Sequence, residues 1–140
     1  MRNLFELSRD DLCWLEDKFQ RYNQLDREIA IRKEELKVKE VDQNIGGGKS
    51  NVVGNPLETQ IIKEQSDEFI VTRQKWKKAI QSVYQNSNEE IQSIITKKFW
   101  SDDSYMNWEI IGREHHMSKS QIYRIRYLIL EKFASQIGYI

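Results

Sequence analysis

Two long stretches of this chain repeat apolar residues at helical spacing and carry charge almost everywhere else. From about Arg9 to Val41, Leu15, Tyr22, Ile29 and Leu36 recur every seven residues, with Leu12, Phe19 and Leu25 beside them. Arg27, Glu28, Arg32, Lys33, Glu34 and Glu35 fill the other faces. A seven-residue recurrence keeps one narrow stripe on one side of a helix, so the pattern predicts a single heptad-like helix about 50 Å long at about 1.5 Å rise per residue. Ser8 and Asp11 have the spacing of a capping box at its start. A helix of that length with one stripe needs a partner.

The second seam, Ile62, Phe69, Trp76 and Val83 with Ile61, Ile70 and Ile80, follows Asn55-Pro56, which predicts an Asn cap and Pro at the first helical position. The cationic run Arg73, Lys75, Lys77, Lys78 on that stretch reads as a solvated face. Between the seams, residues 42–55, DQNIGGGKSNVVGN, predict a loop. GGGKS invites a phosphate-loop reading, but the motif's opening glycine would fall at Gln43 and helix rather than strand precedes it. The expectation is a long antiparallel helical hairpin over 1–86, an oligomerisation arm with its loop at 42–55.

Ser87-Asn88 punctuates the chain, and 87–140 predicts a separate unit. Glu89–Phe99 reads as a helix with Ile91, Ile94 and Ile95 inward and Lys97 and Lys98 near its C-terminus, where cations complement the dipole. Trp100 to Ser104 reads as a linker. Beyond it, SYMNWEIIGREHHMSKSQIYRIRYLILEKFA has the spacing of a helix-turn-helix. A first helix over roughly Tyr105–His115 shares one face between Trp108 and Ile111. Gly112 allows a close crossing. A turn follows at His116–Met117, with positive φ expected at His116. Ser118 caps a second helix whose stripe is Ile122, Ile125, Ile129 and Phe133.

The opposite face of that helix suggests a ligand. Ser120, Tyr123, Arg124 and Tyr127 point away from the isoleucines, with Lys119 and Arg126 on the flank. Hydroxyls, phenols and guanidinium groups clustered at the start of a helix suit base edges and phosphates. From Gly112 to Lys132, five cations (Arg113, Lys119, Arg124, Arg126, Lys132) stand against Glu114 and Glu131. The candidate DNA-binding residues are Arg113, Ser118, Lys119, Ser120, Gln121, Tyr123, Arg124, Arg126 and Tyr127, with Lys97, Lys98 and Lys49 as further phosphate contacts.

Composition narrows the alternatives. The chain has 140 residues, zero net charge with 22 residues of each sign, and one proline, which points to an all-α protein without a polybasic tail. A local patch must therefore hold any nucleic acid. One cysteine excludes an internal disulfide and fits a reducing cytoplasm; Cys13, between Leu12 and Trp14, reads as a small buried or interfacial residue. No apolar run approaches membrane-spanning length, and MRNLFELSRDD lacks a signal-peptide core, so no membrane partner is expected. His115 and His116 are adjacent, point apart on a helix and lie far from Cys13, so no metal, cofactor or catalytic residue is expected.

Helix, aromatic, short polar loop and two-helix motif resemble region 4 of sigma factors. Asp42-Gln43-Asn44-Ile45-Gly46-Gly47, with MSKSQIYRIRYLILEKFASQIG near the end, resembles the RinA-type phage transcriptional activators. The resemblance implies a cytoplasmic DNA-binding activator of late phage genes, acting on a double-stranded promoter with the bacterial host's RNA polymerase. It carries Lys119, Ser120, Gln121, Tyr123 and Arg124 over as reading positions; the His115-His116 turn departs from the common glycine pattern. The surplus apolar residues Leu128, Leu130, Ile137, Tyr139 and Ile140 need cover from the hairpin or a second subunit, and read as self-association into a homo-oligomer. Two other readings stay open: a DNA-recognition subunit of a packaging machine, and a helical scaffold that binds only protein.

Overall fold

The computed structural model describes residues 6–45 and 56–140 and, among them, is all-α, with seven α-helices and no strand. They are α1 (Arg9–Gln20), α2 (Tyr22–Ile45), α3 (Pro56–Ser66), α4 (Glu68–Gln85), α5 (Glu89–Ile95), α6 (Trp108–Glu114) and α7 (Lys119–Gln136). A π-helical turn, Thr96–Trp100, continues α5. The glycine-rich part of the predicted loop and the Asn55 cap lie outside the described residues, whereas Asp42–Ile45 belong to α2. Among the described residues no helix is long and apolar enough to cross a membrane.

Neither long helix is continuous. The first is interrupted at Arg21 between α1 and α2. The indole Nε1 of Trp100 donates to the Phe19 carbonyl at 2.9 Å, occupying a group that an unbroken helix would offer to Asn23. The second is interrupted at Asp67, where Ile70 N–H donates to the Asp67 carboxylate at 3.2 Å and α4 starts afresh.

The chain divides into two compact units, Met1–Asn23 with Trp76–Ile140, and Gln24–Lys75. That division differs from a boundary at 86/87, because α1 packs with α7 and the π turn rather than serving only the arm.

In the 24–75 unit, Leu25, Ile29 and Ile70 are buried. Arg32 grips Asp67 through Nε at 3.1 Å and a terminal nitrogen at 2.8 Å, and Arg73 pairs with Glu28 at 2.9 Å. Hydrogen bonds to Asp67, then to Glu35, hold the Arg32 guanidinium above its ordinary pKa. The restart at Asp67 moves the seam: Ile70 is buried, while Ile61, Ile62 and Phe69, expected inward, are exposed.

The other unit is built around Phe19. Its ring lies 4.8 Å from Phe99, 5.4 Å from Phe133 and 5.9 Å from Trp100, centroid to centroid. Leu15, Ile80, Ile94, Ile95, Ile111, Ile122 and Leu130 complete a fully buried core. Cys13, expected as buried or interfacial, is exposed on α1. Ser8 and Asp11 form the anticipated capping box at α1. Asp11 also accepts from the Tyr139 hydroxyl, and the Tyr139 ring stacks on Trp14 at 5.2 Å. Gly138, at φ 76°, turns the chain so that Tyr139 folds back onto α1.

Two outcomes follow from these contacts. A Cβ added at Gly112 would sit 2.9 Å from the Ile122 Cβ. Gly→Ala inside a helix ordinarily stabilises; here Gly112→Ala destabilises by about 1–3 kcal/mol through overpacking, read by urea unfolding, and a gain in stability would refute the close crossing. The Asp11 hydrogen bond raises the Tyr139 pKa, so the folded chain holds the phenolic proton more tightly than the unfolded chain. That contribution is fully present below the ordinary phenol value of 10.0 and is lost as pH rises through the folded-state value. The stability difference between the natural chain and Tyr139→Phe therefore shrinks across that alkaline window; a difference independent of pH would show that the hydroxyl contributes nothing.

Candidate nucleic-acid interface

The two helices that could present a ligand surface are locked by local bonds that the sequence dictates. Asn107 caps α6, its side-chain oxygen accepting from Ile110 N–H at 2.9 Å. After α6 the chain turns through His116, whose φ of 57° is the positive value expected there. Met117 N–H donates to the Gly112 carbonyl at 2.8 Å and closes the turn. Ser118 then opens α7 with a reciprocal capping box: Gln121 N–H donates to Ser118 Oγ at 3.2 Å, and Ser118 N–H donates to Gln121 Oε1 at 2.8 Å. Gly112 seats α6 against Ile122 of α7.

The unit is braced from α1 by one carboxylate. Trp108 Nε1 of α6 donates to Glu16 Oε2 at 2.9 Å, and Arg126 Nε of α7 donates to Glu16 Oε1 at 3.0 Å, with a second Arg126 nitrogen on the same oxygen. Lys98 lies close by, 5.9 Å over the Trp108 ring, and donates to the Ser104 carbonyl at 3.2 Å. Burial depresses its pKa, with Arg126 acting the same way and Glu16 opposing.

These contacts sort the candidate residues. Arg113, Ser118, Lys119, Ser120, Gln121 and Arg124 are exposed, and Tyr123 is half-buried. Arg126 and Tyr127 turn the other way: Arg126 is held by Glu16, and the Tyr127 hydroxyl accepts from the backbone N–H of Leu7 at 3.1 Å. Of the inner stripe, Ile122, Ile129 and Phe133 are buried and Ile125 is half-buried. Gln121, Arg124, Leu128 and Lys132 instead form an exposed row along α7.

Ion pairing sorts the cations again. Lys119 pairs with Glu109 at 3.5 Å, Lys97 with Glu114, and Arg126 with Glu16. The side chains of Arg113, Arg124 and Lys132 carry no ion pair or hydrogen bond among the described residues. Glu16 was not singled out from sequence. Its signal was a carboxylate adjoining the buried Leu15 on α1, where Glu16 is half-buried and the neighbouring Asp17 is exposed. His115 lies 4.0 Å from Glu90, and His116 is exposed. No cluster of three potential metal ligands occurs among the described residues.

No curated protein and no solved structure matches the chain. A family model does, over residues 14–135, which runs from within α1 through nearly all of α7. The chain therefore belongs to the family described as "Protein of unknown function (DUF722)".

Proposed function

We propose that α6 and α7 form a helix-turn-helix that enters the major groove of double-stranded DNA, and that the chain is a sequence-specific transcriptional activator. The single observation that carries this reading is the division of cations across the unit. Carboxylates of the same fold pair with Lys97, Lys119 and Arg126, while Arg113 and Arg124 are exposed and without an ion pair among the described residues, on two helices whose crossing and caps are fixed. Unpaired guanidinium groups on a rigid, capped pair of helices are what phosphate and base edges require. Ser118, Ser120 and Tyr123 add hydroxyls beside them, and Lys119 joins once phosphate displaces Glu109.

The activator role, the late phage promoter and contact with the host polymerase rest on the resemblance to RinA-type activators. We also propose that α2 with α3 and α4 forms a helical hairpin. Its support is the reversed order of the ion pairs, in which Glu28 meets Arg73 and Arg32 meets Asp67. The exposed Ile61, Ile62 and Phe69 give this arm apolar surface for self-association.

Titrating the full chain against a duplex pool at several salt concentrations tests the reading. Binding should fall linearly in log–log form with salt; a complete lack of salt-sensitive binding would overturn it. Arg113→Ala should weaken all duplexes alike and reduce the slope by about 0.9, as loss of one phosphate contact requires. Arg124→Ala should cost about 1–3 kcal/mol on selected duplexes and much less on scrambled ones. Equal losses on both would make Arg124 a phosphate anchor alone.

A further inference from the structure

We infer that the DNA site presents acceptor groups to α7, with guanine opposite Arg124 and a single acceptor, rather than the paired N6/N7 edge of adenine, opposite Gln121. This rests on α7 being the helix that enters the groove. It follows from which atoms of the exposed row remain available once the fold has used the others.

A glutamine reads adenine by placing its amide oxygen and nitrogen side by side against N6–H and N7. Gln121 does not present that pair in the capped α7. Its Oε1 is turned back to accept from Ser118 N–H at 2.8 Å, and its own N–H is held by Ser118 Oγ at 3.2 Å. The outward group is the amide nitrogen, a donor. Two-sided adenine recognition would require releasing the Ser118 N–H to Gln121 Oε1 bond, whereas the lone amide donor fits any single acceptor, the N7 of guanine or adenine included. The capping bond thus converts a two-sided reader into a donor.

The rest of the row has the same polarity. Arg124 lies three residues on, exposed and without a partner among the described residues, and a guanidinium can only donate. Three residues along a helix rise about 4.5 Å, close to the spacing of neighbouring base pairs, so the two side chains address adjacent steps. Cytosine is read through its N4–H₂ by a carboxylate. None occurs from Ser118 to Leu130; the first on α7 is Glu131. Ser120 and Tyr123 carry hydroxyls that serve either role and so do not discriminate. Leu128, exposed one turn beyond Arg124, offers apolar contact suited to a thymine methyl. Guanine, with O6 and N7, supplies the two acceptors that a guanidinium fork needs.

The test selects duplexes from a random pool with the full chain, then replaces guanine by 7-deazaguanine at each enriched position, which removes N7 and keeps base pairing. Guanine should be enriched, and one 7-deaza substitution should lower affinity about tenfold or more. Arg124→Ala should erase that sensitivity at one position. Gln121→Glu retains an oxygen for the Ser118 cap but replaces the donor by an acceptor, so preference at the neighbouring position should move to cytosine. Enrichment of adenine opposite Arg124, an adenine preference opposite Gln121 that persists with Gln121→Glu, or a guanine preference that Arg124→Ala and Gln121→Glu both leave intact, overturns the inference while sparing DNA binding. Salt-sensitive binding without any enrichment also overturns it. Absence of binding overturns the reading of α7 itself.

Discussion

Gly112 and Ile122 touch where α6 crosses α7, and that contact constrains everything the C-terminal helices present. With no Cβ on Gly112, the Ile122 side chain takes the space directly against the α6 backbone. The turn between the helices is correspondingly tight: Met117 N–H reaches the Gly112 carbonyl, and His116 absorbs the reversal at positive φ. Any residue larger than glycine would push α7 outward and rotate its exposed row. The angle at which Gln121 and Arg124 face solvent is therefore set inside the core rather than at the surface.

The same unit also shows why a neutral chain can carry a directed positive surface. Counting charges from Gly112 to Lys132 suggests a broad basic patch, yet the fold pairs Lys119 and Arg126 of those five cations and engages Lys98 beside them. Arg126 is half-buried under Glu16, where its charge joins α7 to α1 and, through Trp108, to α6. Lys98 is drawn into the structure by a carbonyl and by burial. A half-buried arginine with a carboxylate on it brings little field to solvent. What remains is a small set of unpaired guanidinium and ammonium groups, whose positions matter more than their number.

Local signals in the sequence were the legible ones. The Ser8 and Ser118 caps, the Gly112 crossing, positive φ at His116 and the burial of Ile122, Ile129 and Phe133 all depend on residues within a few positions of one another. Long-range competition was not legible. A heptad pattern assumes an unbroken helix, but Trp100 takes the Phe19 carbonyl from 81 positions away, and Asp67 is claimed by both Arg32 and the Ile70 amide. Those bonds interrupt the helices and reset the register that had placed Ile62 and Phe69 inward. Arg126 and Tyr127 show the same limit. A helical wheel places them on the flank of α7, but only the packing of α1 decides which flank is covered.

The shortage of unpaired cations bears on how such a chain would hold DNA. Three phosphate contacts from Arg113, Lys132 and, once Glu109 is displaced, Lys119 would give a salt slope of only about −2.7, near −0.9 for each phosphate neutralised. That would be shallow for a sequence-specific activator, which has to find one site among a genome of competitors. Two copies joined through the arm would double the contacts and make the second binding event intramolecular, which raises avidity without new chemistry. Low nonspecific attraction then becomes useful. A single unit dissociates readily from random sequence, and only a duplex whose acceptor edges satisfy both copies retains the pair. On this reading, the carboxylates at 16 and 114 are part of the discrimination, because each removes a cation that would otherwise hold any phosphate backbone equally well.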